Sequence, residues 1–147
     1  MILKEIDRLA AEIETQVIKW RRAIHQNPEL ANREFQTSKL VSEHLKSLGI
    51  KVSTGIAKTG VVGILEGGKP GPVVALRADM DALPVEEQTG LPFSSRVKGV
   101  MHACGHDCHT AILMGTATVL SKMIDKIPGT VKQLLTQLHR LKISPQK

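Results

Sequence analysis

The chain has 147 residues, of which 41% are apolar and 23% charged, with a formal net charge of +6. These proportions suit one folded domain, exclude wholesale disorder, and leave no apolar run near the roughly 18 residues a membrane helix needs. Aromatic residues make up only 2%, so the core has to be aliphatic, and Cys104 and Cys108 are too few for a disulfide framework.

Leu3, Ile6, Leu9, Ile13, Val17, Trp20 and Ile24 recur at steps of three and four, which predicts a first amphipathic helix. Asn27-Pro28 stops it, since proline disfavours a helical residue before it and has no N–H to donate. A second helix is predicted from about Glu34 to Leu48, with Leu40, Val41, His44, Leu45 and Leu48 inward and Gly49 as its stop. His44 reads as a packed or surface residue, not a ligand.

The period then changes to two. Ile50, Val52 and Thr54 alternate as a short strand, and 61–65 and 73–76 are short β-rich runs joined by a turn over 67–72. Their continuous apolar character predicts strands covered on both faces. A long irregular stretch follows from about Asp79 to Asp107, of the kind that is often functional in a compact domain. Thr110 to Ile124 returns to helix, with small residues suited to close packing. The order reads as α/β or α+β.

Two clusters carry chemistry. The first, Arg77-Ala-Asp79-Met-Asp81-Ala-Leu-Pro84, puts two carboxylates at the end of a buried strand, where α/β sheets place their sites. A solvated strand end is the plain alternative. The second runs from Met101 to His109 and packs His102, Cys104, His106, Asp107, Cys108 and His109 into eight positions, a donor set suited to a transition metal. A closed structural zinc site draws its ligands from two separated stretches, and one short loop cannot readily aim four at one ion. A Cys-x-His pair beside an acidic strand end fits an open, catalytic site better. Reduced surface Cys and His in a loop is the competing reading. Cys108 reads as a buried small residue at the start of the following helix.

Arg77–Pro84 and Gly99-Val-Met-His-Ala-Cys-Gly-His-Asp-Cys-His109 together resemble the aminoacylase and hippurate hydrolase branch of the co-catalytic metallopeptidases. That branch includes auxin-conjugate amidohydrolases and several carboxypeptidases. The opening Arg21-Arg22-Ala-Ile-His25-Gln-Asn-Pro28-Glu29-Leu30, with Glu34-Phe35, is similar to the family's start, and Pro128-Gly-Thr-Val-Lys132 to its next strand. The resemblance implies an α/β fold: the N-terminal half of a catalytic domain, helices on a central mixed sheet, without the lid and dimerisation domain. It implies Cys104 and His106 as two protein ligands of a centre holding two divalent ions, with Zn, Mn, Co and Ni not distinguished. Asp81 is implied as a carboxylate orienting a ligand, and Asp79, Asp107 and His109 as further candidates around the ligands. The reaction implied is hydrolysis of the amide bond of a small N-acyl amino acid or peptide, with metal-activated water and a Glu as proton shuttle.

The resemblance covers about residues 15–132, within a partial catalytic domain expected over 1–132, and is expected to stop there. Residues 133–147 form a basic tail without acids, and Leu134, Leu135, Leu138 and Leu141 fall at helical spacing. Where the family carries a Pro-Ala-Glu-Glu type motif this tail has none, so the general-base Glu and further ligands are expected to lie outside the chain, leaving it inactive alone. A shifted reading frame accounts for such a break, since His139 to Ile143 can be encoded so that the shifted frame spells Pro-Ala-Glu-Asp. The alternative is a non-catalytic metal-binding or interaction module that keeps the fold's first half. Because four of the six excess cations fall in the last sixteen residues, 132–147, neither nucleic acid nor membrane is expected as a partner. An open sheet edge makes self-association a further expectation. Charges interrupt the N-terminal apolar residues, unlike a signal peptide, and a cytoplasmic setting is expected.

Overall fold

A computed structural model of the chain describes residues 2–136. Helix α1 spans Ile2–Gln26 and packs along α3 (His106–Lys122). Their approach depends on Gly115, where an added Cβ would lie 2.7 Å from Val17 Cγ2. The apolar stripe of α1 is covered only in part: Leu9 and Ile24 are buried, while Leu3 is 72% exposed. Asn27 closes α1 by donating its side-chain amide to the Ala23 carbonyl at 2.8 Å.

Helix α2 spans Phe35–Ser47, and its first free N–H groups are capped from a distance. The Glu29 carboxylate accepts from the Gln36 N–H at 3.0 Å, the Thr37 N–H at 2.9 Å and the Thr37 hydroxyl at 3.0 Å. An anion there satisfies orphan donors and meets the positive end of the helix dipole. His44 is packed, not ligating: its Nε2 lies 3.0 Å from Thr118 Oγ1 and 3.2 Å from the Met114 carbonyl.

Strands β1 (Lys51–Ile56), β2 (Gly60–Glu66), β3 (Lys69–Ala78) and β4 (Pro128–Leu135) form a mixed sheet in the order β1-β2-β4-β3. The first three neighbours pair antiparallel, and β3 runs parallel to β4. Helix α2 lies on β1 and β2, and α3 lies on β3 and β4. Val61 and Leu65 of β2 and Val131 and Leu135 of β4 share the helix-facing side with Val41, Leu45, Leu113, Met114 and Ala117. Burial of these aliphatic side chains supplies the main driving force for the layer.

Three expectations change. The stretch 67–72 is not all turn, because β3 already begins at Lys69. The strands are not covered on both faces: Val73 and Val74 are 60% and 49% exposed, since β3 borders only β4 among the described residues. The last strand extends to Leu135, so Gln133, Leu134 and Leu135 are sheet and not a helical tail. The remaining tail expectations, including Leu138, Leu141 and the frame-shifted His139–Ile143, lie outside the described residues.

Candidate metal centre

The stretch between β3 and α3 has no long regular element, yet it is pinned to the body of the fold. The Ala82 N–H donates to the Glu29 carbonyl at 2.8 Å, and Leu83 and Met101 exchange two backbone bonds of 2.9 and 3.0 Å. The Arg96 N–H reaches the Gln26 carbonyl at 2.9 Å. Met80, at the base of this stretch, is fully buried. The strand end carrying Asp79 and Asp81 is thereby held against the turn that carries Cys104.

Helix α3 starts four residues earlier than its periodicity suggests, at His106. No side chain caps it. Instead Gly105 turns the chain into the helix with φ of 84°, in the left-handed region that a residue with a Cβ resists. The turn puts Cys104 just before the helix and His106 in its first turn. Cys104 is exposed and unpaired with Cys108.

Asp81 and His106 come together. His106 Nδ1 donates to the Asp81 carbonyl oxygen at 2.9 Å, with Asp81 Oδ1 at 3.2 Å. A ring held through Nδ1 keeps its lone pair on Nε2, the arrangement that a metal-ligating histidine takes from its outer partners. Asp79 is turned elsewhere: its carboxylate pairs with Arg77, and its carbonyl accepts from the Thr110 hydroxyl at 2.8 Å. His109 is exposed one turn along α3, with its ring centroid 5.8 Å from that of His106. Cys108 is half-buried rather than buried, facing α1 beside Val17, Ile18 and Phe93.

Asp107 is fully buried. Its Oδ2 lies 2.8 Å from Arg21 Nε and 2.7 Å from His25 Nδ1. His25 Nε2 in turn lies 3.2 Å from Glu87 Oε1. Glu87 also accepts from the Thr89 hydroxyl and, at 2.6 Å, from the Ser95 N–H. Burial works against its charge, but these donors and His25 outweigh it and bring its pKa to about 2. The motif 21–30 thus contributes Arg21 and His25 beside the site, which periodicity alone does not reveal.

His102 is 4% exposed, and neither ring nitrogen has a hydrogen-bond partner among the described residues. Burial lowers its pKa to about 4, against the pull of Asp107 and helped by the nearby His25, His106 and Arg21. Asp107 Oδ1 is likewise unpartnered among the described residues. Among those residues no group of three or more His, Cys, Asp or Glu is disposed to hold an ion. The donor set still fits a soft-to-borderline divalent metal at two positions: an accessible thiol and an imidazole whose Nε2 has no partner among the described residues and whose orientation is fixed.

Residues 75–137 match the model of Peptidase family M20/M25/M40. The chain is 53% identical over 132 residues to thermostable carboxypeptidase 2 of Saccharolobus solfataricus, covering 89% of this chain and 34% of that one. It is 47% identical over 141 residues to an N-acyl-L-amino acid amidohydrolase of Geobacillus stearothermophilus, covering 96% and 38%. Its fold superposes on the crystal structure of a dinuclear metal-binding M20-family peptidase of Bacillus subtilis with a TM-score of 0.81 and 44% identity, covering 85% and 35%. The chain spans about a third of the length of these relatives. The resemblance to aminoacylase-like metallopeptidases is therefore carried by sequence and fold alike. No helix among the described residues is long and apolar enough to cross a membrane.

Proposed function

Because this chain is a homologue of M20-family carboxypeptidases and amidohydrolases over most of its length, we propose that it contributes one part of a metal-dependent amidohydrolase site. The substrate class is a small N-acyl amino acid or peptide. The observation that carries the reading is the fixed His106 ring, held through Nδ1 by Asp81 and set two residues after the exposed Cys104. Cys104 and His106 would hold divalent metal, and Asp81 orients His106. When bound, such ions supply a Lewis acid for the amide carbonyl and a more acidic water. The hydrolase names of the relatives favour this reading over a non-catalytic module.

The 147-residue chain alone binds metal weakly and does not turn over substrate, in this reading. Two protein ligands fall short of the three or four of a stable zinc site, and a positioned general base is typically worth 10²–10⁴-fold. Its setting is the cytoplasm, which the unpaired Cys104 and Cys108 support, and self-association through β3 follows from that strand's edge, unpaired among the described residues. In this reading residues 133–147 differ from the family by lacking its acidic motif, while β4 continues to Leu135 and the family match to residue 137.

A chimera tests the function. Residues 1–132 replace their counterpart in the full-length Geobacillus amidohydrolase, and hydrolysis of N-acyl amino acids is measured. Activity is expected in the chimera and its loss in Cys104→Ser and His106→Ala, while the isolated chain stays at background. An inactive but folded chimera, or activity indifferent to both substitutions, overturns the reading.

A further inference from the structure

The buried charges behind the ligand pair are arranged along a path with a direction. Asp107 follows His106 directly in the first turn of α3, and its carboxylate is fully buried. Two side chains from one face of α1, four residues apart, converge on a single oxygen of it: Arg21 Nε at 2.8 Å and His25 Nδ1 at 2.7 Å. The other nitrogen of His25 reaches Glu87, which holds the Ser95 N–H at 2.6 Å in the irregular stretch leading back toward Cys104. Arg21 and Arg22 also place their guanidinium groups 4.8 and 5.0 Å from the Phe93 ring centre in that same stretch. One helix therefore grips both the residue after His106 and the loop before Cys104.

A simple structural staple does not call for this arrangement. Burying a histidine and two carboxylates beside a half-buried arginine is costly unless each is paired, and an apolar contact would join α1 to α3 more cheaply. The His25–Asp107 hydrogen bond is directional, so, with the Arg21 ion pair beside it, it fixes rotation of the first turn of α3 as well as its distance from α1. We propose that Arg21 and His25 are positioning residues: through Asp107 and Glu87 they set the separation and angle between the Cys104 thiol and His106 Nε2. The inference rests on the metal-ligand reading of Cys104 and His106.

Cobalt titration of the 147-residue chain tests it, because a thiolate–Co(II) charge-transfer band reports the Cys104 ligand directly and needs no turnover. His25→Gln, which acts on the ligands only through Asp107 and Glu87, is expected to weaken Co(II) binding several-fold and to shift or broaden the band. Arg21→Lys keeps the charge beside Asp107 and is expected to retain most of the affinity. Glu12→Ala, on an exposed turn of α1, is expected to leave the band unchanged. If His25→Gln loses its helical circular dichroism, Glu87→Gln takes its place, since it cuts the loop side of the path and leaves Asp107 with Arg21 and His25. A several-fold loss of affinity is expected there. A band of parental position and affinity in the folded His25→Gln or Glu87→Gln variant overturns the inference alone. A parent chain with no thiolate–cobalt band at millimolar Co(II) overturns the ligand reading and this inference with it.

Discussion

His106 and Asp81 are tied together twice, through the Asp81 carbonyl at 2.9 Å and through its carboxylate at 3.2 Å from the same ring nitrogen. The two contacts differ in what a substitution removes. Asp81→Ala deletes the carboxylate and keeps the carbonyl, so the ring retains its tautomer but loses the charge that makes Nε2 a better donor. Metal affinity, read by isothermal titration with Zn(II) or Co(II), is expected to fall about 10-fold. Asp81→Asn, which preserves an acceptor oxygen, is expected to lose less. Equal affinities for the parent and Asp81→Ala would show that the carboxylate does not tune the His106 ring.

Gly105 offers a second test, independent of any ligand. An added Cβ meets no atom within 4 Å, so the whole cost of Gly105→Ala comes from its φ of 84°. Left-handed backbone costs a residue with a Cβ about 1–2 kcal/mol. Urea denaturation is expected to show a loss of that size. Metal binding should weaken too, because relaxation at 105 moves Cys104 relative to His106. An unchanged midpoint would show that the turn has another conformation open to it.

Acid stability follows from the buried histidines. Burial lowers the pKa of His44, against a smaller opposing effect of its bond to the Met114 carbonyl, and lowers that of His102 to about 4. A lowered folded-state value means that the unfolded chain takes up the proton first. Stability is therefore full above about pH 6.5 and is lost as pH falls toward the folded values. Glu87, held to about 2, adds a second loss that begins below its ordinary value near 4.5 and completes as pH falls through about 2. Urea midpoints of the chelator-treated chain, measured from pH 8 to pH 3, should decline from pH 6.5 downward. A plateau between pH 7 and pH 4.5 would contradict the histidine assignment.

Gln133 sits on the inward face of β4 opposite Gly63, with no exposed surface and neither amide atom hydrogen-bonded among the described residues. An unpaired buried polar group costs about 1–3 kcal/mol. Gln133→Leu is expected to raise the urea midpoint by a corresponding amount, an unusual direction for a core substitution in a natural chain. A destabilised variant would mean that the amide is satisfied.

Helices α1 and α2 were legible because one-faced apolar spacing and Asn27-Pro28 are local signals. The density of donors from His102 to His109 and the acids at 79 and 81 marked the site for the same reason. What escaped was non-local. The pairing of His25 with Asp107 spans 82 positions and depends on α1 lying along α3. The start of α3 at His106 was hidden because Gly105 enters the helix through backbone conformation, without the Ser, Thr, Asp or Asn that normally announces it. The exposure of Val73 and Val74 could not be read from an apolar run, since edge and central strands share that composition. The full burial of Asp107 likewise needed the fold.

The packing of Trp20 carries a practical consequence. It is the chain's single tryptophan, and its ring centre lies 4.4 Å from that of His44, at the junction where α1 meets α2 and the core. An imidazole at that range quenches indole emission more strongly once it takes up a proton, and separation of the two helices relieves the quenching. The protein thus carries its own optical reporter. Emission intensity in solution follows the seating of α1, the helix that bears Arg21 and His25, with no label attached and no substrate added.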